Sequence, residues 1–433
     1  MLFSGAAFSL FALYRLILVS DQYPPGGLNL WLVIAVTLLL VCSLSLALPT
    51  RAKTTVVLTG AGILAGCYLA EIMVFVVTYS DLGAALRERL HLQGPGTEGL
   101  GRLHAVNALQ ASGLDAYPSF HPCQCLDFDG FIVQGAKLFP LAGASRRLTV
   151  FCATKQIITY QSDRYGFNNP DHVWDLGKVD AVLVGDSFTQ GSCVPREENV
   201  AGHLQEHGCG AVINLGQAGS GPLLELAILI EYAQYLRPRN LVWLYFEGND
   251  MFDLLQERKS TFLMRYLASD FNQGLVRRQK DIDQVLASYI EREKNSAETV
   301  WQPLKRLFMF YHLRRRFVTR PEATFTDDSY RLLQTVLAKA KQKTDSWGGR
   351  FILVYVPYFQ RYVSADLPGE VDRQKCRSIA AELGLMFCDV DEALTRQTDP
   401  LDFFENRSSM HFNSRGYKLM ADLINQCAGL HCK

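Results

Sequence analysis

The sequence predicts an α/β domain built on a mostly parallel sheet and standing behind about three membrane-spanning helices. Two observations carry that expectation. The apolar residues crowd into the first 80 positions, where runs reach the length a helix needs to cross a bilayer. From residue 178 onward, short β-branched runs alternate with segments of helical period, the pattern of βαβ units. The 433 residues leave room for two or three domains at roughly 150 residues each.

Residues 31–49, WLVIAVTLLLVCSLSLALP, carry no charge over 19 positions. Residues 54–79 form a second such run broken only by Glu71, and residues 2–20 a third broken by Arg15. A cleaved signal peptide is the competing reading of 31–49, but a basic n-region and a clear cleavage site are missing. Charges inside spans are costly and are commonly paired or functional. Arg15 and Glu71 are therefore expected to pair, with a proton or substrate path as the sharper alternative. The loop at 49–54 carries Arg51 and Lys53, which the positive-inside rule assigns to the cytoplasm. Everything after about residue 85 then lies outside, an assignment that Arg87 and Arg89 oppose and that Asp81 and Glu88 soften. The expected location is the inner membrane, multi-pass, with lipid around the helices and the main domain in the periplasm.

Formal charge is zero, 43 basic against 43 acidic side chains, so nucleic acid is not an expected partner. Of the eleven cysteines, nine follow the spans, a richness that suits an oxidising compartment. Cys427/Cys432, Cys193/Cys209 and Cys376/Cys388 are candidate partners by proximity in sequence. Nine is odd, so at least one thiol is left over.

Beyond the anchor at 1–80, residues 81–175 read as a connector of loops and short strands packed on the next domain. The α/β domain proper is expected over 176–430. Its strands are DAVLVG at 180–185, AVINL at 211–215, LVWLYF at 241–246, FILVYV at 351–356 and, more weakly, MFCDV at 386–390. Helices are expected near 195–207, 222–236, 328–345, 370–383 and 414–427. Residues 251–325 interrupt the alternation. This helical insertion holds 14 Lys/Arg against 8 Asp/Glu over 251–320, with Arg314, Arg315 and Arg316 its densest run. A solvated cap is its simple reading, and a surface for anionic headgroups or acidic polysaccharide the alternative.

In such sheets, sites lie at the carboxyl ends of strands. The first run ends in GDSFTQG at 185–191, which puts Ser187 on a tight turn at that edge. The second is followed by NLGQAG, ending at Gly219, and the third by EGND, which includes Asn249. The N–H groups of Ser187 and Gly219 and the amide of Asn249 make three donors for an oxyanion. Near the C-terminus His411, in MHFN before the last helix, reaches the same edge as a base for Ser187.

With these four blocks in order, residues 165–430 resemble the SGNH/GDSL hydrolase family. They are GDS at 185–187, the glycine block at Gly219, GND at 248–250 and HFNSRGY at 411–417. The resemblance implies a flavodoxin-like three-layer α/β/α sandwich that hydrolyses or transfers acyl esters, with Ser187 as nucleophile and His411 as base. YGFNNP at 165–170 is also similar to membrane-anchored bacterial members associated with cell-surface polysaccharide. The chain departs from the pattern at Ser408, where the family has an Asp three residues before its His. The orienting acid is then supplied from elsewhere, with Asp402 favoured over Glu405 and Asp399, or a Ser–His dyad has its ring held by a backbone carbonyl.

Three functions fit these blocks. The first is an esterase acting on O-acyl groups, acetyl the expected one, of an exported glycan. The second is an O-acyltransferase of the same fold, working with a partner membrane protein. The third is a non-catalytic glycan-binding or assembly protein. None implies a cofactor. One motif stands outside the scheme, His203-Leu204-Gln205-Glu206-His207, which matches the H-x-x-E-H zinc pattern. It points at no further ligands, so no metal is expected.

Overall fold

The computed structural model describes residues 47–79, 98–153, 156–268, 270–297, 325–363, 369–407 and 409–430, with isolated positions between 36 and 44. The chain divides into two compact units, Met1–Pro95 with Asn295–Thr324, and Gly96–Lys294 with Phe325–Lys433.

In the first unit the main described element is a 30-residue helix, Thr50–Tyr79. Its stretch Thr50–Met73 is, among the described residues, the one long and apolar enough to cross a membrane. Leu58, Ile63, Leu64 and Leu69 are exposed along it, an apolar surface all round that suits a lipid environment. The helix starts at Thr50, so Arg51 and Lys53 belong to its first turn and not to a loop. The expected spans at 2–20 and over most of 31–49 lie outside the described residues. So does Arg15, the partner expected for the buried Glu71.

The second unit opens with helix Glu98–Ala111 and five short strands, β1 (Ala116–Pro118), β2 (Phe131–Val133), β3 (Ala136–Leu138), β4 (Leu148–Ala153) and β5 (Ile157–Gln161). β2 and β3 form a hairpin through Gln134 and Gly135, both at positive φ, as a two-residue turn with the right twist requires. β4 pairs parallel with β1 and antiparallel with β5, giving a three-stranded accessory sheet. The stretch read from sequence as a connector thus carries a sheet of its own.

Five further strands form the central sheet, β6 (Ala181–Val184), β7 (Val212–Asn214), β8 (Asn240–Phe246), β9 (Arg350–Val356) and β10 (Met386–Asp389). Each falls on one of the five runs read from the sequence. All neighbours are parallel and the order is β10-β9-β8-β6-β7. Numbered from β6, this is the 2-1-3-4-5 order of flavodoxin-like sheets. The chain reverses its direction of travel between β6 and β8, the switch point at which sheets of this order bind ligands beyond the carboxyl ends of their strands.

Strand alternation divides the core in two. Leu241, Trp243 and Tyr245 face one side with Leu223, Leu226, Val336 and Ala340, from helices Pro222–Ile228 and Asp327–Ser346. Val242, Leu244 and Phe246 face the other, with Leu204, Met420 and Ile424 from Val200–Glu206 and Ser414–Ala428. All seven β8 residues are buried, and each large apolar side chain taken from water contributes on the order of 1.5–3 kcal/mol.

Two expectations need correction here. The first part of the insertion is no solvated cap, because Met251, Leu254, Phe262, Leu263, Tyr266, Leu275, Ile282 and Leu286 are all in the core. Ile282, Leu286 and Ile290 recur every four residues along helix Gln279–Ala297, which turns one face inward despite the surplus of charge. Arg314, Arg315 and Arg316 lie outside the described residues. The cysteines also pair at longer range than proximity suggests, Cys152 with Cys193 and Cys388 with Cys427, 41 and 39 residues apart. Cys209 is disulfide-bonded as well, whereas Cys376 is a free buried thiol.

Candidate active site

β6 runs into Gly185 and Asp186 before the short helix Ser187–Gln190. Only glycine fits at 185, since a Cβ there would lie 2.1 Å from Thr189 Oγ1 and 2.9 Å from the Leu244 carbonyl. Asp186 caps the helix, its Oδ1 accepting the Phe188 N–H at 2.8 Å. Ser187 follows, half-buried, at the carboxyl edge of the sheet.

From the other end of the chain, a bridge between Phe404 and Phe412 brings His411 to the same place. The Glu405 N–H donates to the His411 carbonyl at 3.0 Å. Asn413, two residues on, caps the last helix through the Gly416 N–H and ties its amide to the Asp402 carbonyl at 2.8 Å. The loop is thereby fixed on both sides of the histidine. Ser187 Oγ lies 2.8 Å from His411 Nε2 and 3.3 Å from Asp186 Oδ2, and in the tautomer with the ring proton on Nδ1 the shorter contact is the hydroxyl donating to Nε2. The imidazole packs on Phe188 at 5.3 Å between centroids. Burial lowers its pKa from 6.5 to about 4, because the charged form loses its hydration. At neutral pH it is an unprotonated acceptor beside a serine hydroxyl.

Asp402, the acid favoured from the sequence, is turned away from this pair. Its carboxylate meets the Arg407 guanidinium, which also holds Asp399 at 2.5 Å. Among the described residues no carboxylate forms an ion pair with His411, and Ser408 lies outside them. The competing cation five residues away in sequence is the physical reason.

Asn249 follows β8 and donates from Nδ2 to Asp253 Oδ2 at 2.8 Å. That bond fixes which way the amide faces, and the amide lies close enough to Asp186 to help hold its carboxyl down. Gly219 lies in the loop after β7, which is stitched to the Ser187 turn by Gln217 N–H to the Gly185 carbonyl at 3.1 Å. Its φ is +74°, and a Cβ would sit 2.7 Å from Cys123 Sγ, so conformation and space both require glycine.

Several residues around this region are given no role by the sequence. Cys123 and His121 reach Gly219 from the accessory region. Burial raises the Cys123 thiol to about 12, and burial with the Arg102 charge lowers His121 to about 3. Glu225 and Asp250 are wholly buried and pushed well above ordinary carboxyl values, first by burial, then by the charge of Asp186 on Glu225 and that of Glu225 on Asp250. Burial raises Asp186 itself to about 6. Asn168 and Asn169, from YGFNNP, lie beneath the turn, donating to the Gln190 and Asn214 carbonyls at 3.1 and 2.8 Å. The H-x-x-E-H residues are remote from this chemistry, with His203 bound to Glu206 and His207 to Asp422.

No protein-family model and no curated relative matches this sequence. Among solved structures, the chain is similar to a member of the lipolytic protein G-D-S-L family from Veillonella parvula, at 17% identity and TM-score 0.32, over 57% of this chain and 96% of that one. It is similar to the lipase/acylhydrolase from Enterococcus faecalis, at 16% identity and TM-score 0.34, over 57% and 93%. Axe2, an acetylxylan esterase from Geobacillus stearothermophilus, is a third, at 12% identity and TM-score 0.34, again over 57% and 93%.

Proposed function

We propose that this chain is a membrane-anchored serine esterase of the SGNH type, acting on O-acyl groups, acetyl foremost, of an exported glycan. The observation that carries the reading is the 2.8 Å contact of Ser187 Oγ with a neutral, buried His411 Nε2 at the switch point of a flavodoxin-ordered sheet. Ser187 Oγ attacks the ester carbonyl as its proton passes to Nε2. The N–H groups of Ser187 and Gly219 hold the oxyanion, joined by the Asn249 amide, which faces Asp253 and Asp186 before the ester enters. As the acyl C–O bond to the sugar breaks, the imidazolium gives its proton to the leaving sugar oxygen, which departs as a hydroxyl and leaves the acyl group on Ser187. Water, deprotonated by the same nitrogen, then releases the carboxylic acid and restores Ser187. Asp402, held by Arg407, has no part in this scheme, and the working unit is a Ser–His pair.

The anchor is supported by helix Thr50–Tyr79, and a periplasmic position by the disulfides of the second unit. The multi-pass arrangement rests on the apolar runs upstream of that helix.

The test is labelling by a fluorophosphonate and turnover of a chromogenic acetyl ester, with the full chain in detergent as wild type and Ser187→Ala. Labelling and hydrolysis that both vanish in the variant support the esterase. Labelling without hydrolysis, together with acetyl transfer to an added oligosaccharide, moves the assignment to a transferase. A folded wild type that takes no label overturns both.

A further inference from the structure

We infer that Gln190 is a positioning residue that locks the nucleophile turn to the loop carrying Gly219, an inference that rests on the hydrolytic reading above. Gln190 is the last residue of the helix that Ser187 begins, and its own N–H donates to the Asp186 carbonyl at 3.0 Å. Its side chain is fully buried. Oε1 accepts the Ala218 N–H at 2.8 Å, one residue before Gly219. Nε2 donates to Tyr160 Oη at 3.0 Å, in β5 of the accessory sheet. Tyr160 packs in turn on Ala218 and Phe151, its ring 5.8 Å from that of Phe151.

One amide therefore ties together three segments distant in sequence. The two backbone donors assigned to the oxyanion, at Ser187 and Gly219, sit on two different loops, and their spacing has to be held from outside. Contact between those loops is already close, since a Cβ on Gly216 would lie 2.2 Å from Gln190 N. The Gln217 N–H bond to the Gly185 carbonyl pins the loop at one point, and the Oε1 bond to Ala218 sets its tilt about that point. The Ala218 N–H can only donate, which sets Oε1 toward it, and Tyr160 Oη holds the other end of the amide by accepting from Nε2. The accessory sheet thereby acts on the oxyanion site without touching substrate.

Gln190→Met keeps the length of the side chain and removes the acceptor, and Gln190→Glu keeps an acceptor for Ala218. The full chain in detergent is assayed with the chromogenic acetyl ester and with a boronic acid that mimics the tetrahedral adduct. Gln190→Met is expected to lower kcat about 10- to 100-fold at nearly constant KM, below or near the loss of one oxyanion donor. Boronate affinity should fall in parallel, and Gln190→Glu should recover most of both. Wild-type kcat in folded Gln190→Met, or a change confined to KM, overturns the inference. If Gln190→Met does not fold, Tyr160→Phe decides, with a several-fold loss of kcat at constant KM expected and no loss overturning it. Absence of turnover in the wild type would instead fail the esterase reading, and is thereby told apart.

Discussion

The Arg361 guanidinium grips the Glu247 carboxylate through two hydrogen bonds, Nε to Oε2 at 3.2 Å and Nη2 to Oε1 at 3.1 Å, with both side chains almost out of solvent. Glu247 also accepts the Tyr358 N–H at 2.9 Å. The pair thus ties the carboxyl end of β8, two residues before Asn249, to the segment that follows β9. Arg361 reaches Glu370 at 3.0 Å as well and lies 3.9 Å from Asp391, so it hydrogen-bonds two carboxylates through its planar fork and faces a third.

Removing that cation leaves Glu247 buried without its partner. Burial already raises the Glu247 pKa and Arg361 opposes the rise. Arg361→Ala is expected to destabilise the second unit by about 3–5 kcal/mol, the usual loss on breaking a buried pair from one side. Arg361→Lys should recover only part, because an ammonium cannot bind the carboxylate through two parallel bonds. Urea unfolding of the full chain in detergent, followed by tryptophan fluorescence, checks both. A midpoint unchanged in Arg361→Ala would contradict the argument.

The placement of Asp402 yields a second prediction. Were it the orienting acid of a triad, its loss would cost several orders of magnitude in kcat. Its carboxylate instead pairs with Arg407 at a half-exposed site, where ion pairs are worth about 0–1 kcal/mol. Asp402→Asn should therefore lower kcat by less than about fivefold. His411→Ala should lower it by about a thousandfold or more, with residual turnover from the oxyanion donors. Steady-state kinetics on the two variants separate the alternatives.

Different parts of this molecule were legible to different degrees, for physical reasons. The central strands stand out because a strand buried on both faces must be a continuous β-branched run, as in AVLV at 181–184. Ser187, Gly219, Asn249 and His411 are visible because each follows such a run or precedes the last helix. The accessory strands are three to six residues long and, apart from β4, partly exposed, so the sequence predicts short strands here but not their sheet. The insertion misled through its charge, although Ile282, Leu286 and Ile290 carried the inward stripe. Cysteine pairing and the pull of Arg407 on Asp402 depend on through-space proximity that spacing does not encode. Gln190 lies three residues from Ser187 in plain view. Its partners Tyr160 and Ala218 are 30 and 28 residues away, and only the fold joins them.

The protonation of His411 sets a pH dependence. A base held at about 4 is neutral throughout the range above it, so kcat/KM should fall on the acid side only near pH 4. An ordinary histidine would place that limb near 6.5. Asp186 is held at about 6, so a limb near 6 that disappears in Asp186→Asn would belong to Asp186 instead. The same shift acts on stability. The unfolded chain binds a proton at this residue near 6.5 and the folded one only near 4. Stability from this group is full above 6.5 and is lost as pH falls from there to about 4. The difference in unfolding free energy between wild type and His411→Asn should shift against the wild type across that window.

Gly219 offers the sharpest test of the oxyanion loop. A Cβ at 219 meets two separate obstacles, a φ of +74° and the Cys123 sulfur at 2.7 Å. The first costs any L-residue on the order of 1–2 kcal/mol. The second can be removed, since Cys123 is a free thiol. Gly219→Ala is expected to lower kcat about 100-fold, the scale of one lost oxyanion donor, with little change in KM. Adding Cys123→Ala should restore part of that loss and not all of it, because the backbone strain stays. Cys123→Ala alone should leave kcat within about threefold of wild type, as it removes a neighbour of the donor and not the donor itself. The double-mutant cycle in kcat is the measurement. Full additivity of the two substitutions would show that Cys123 and Gly219 do not press on one another, and that the glycine is required by its backbone conformation alone.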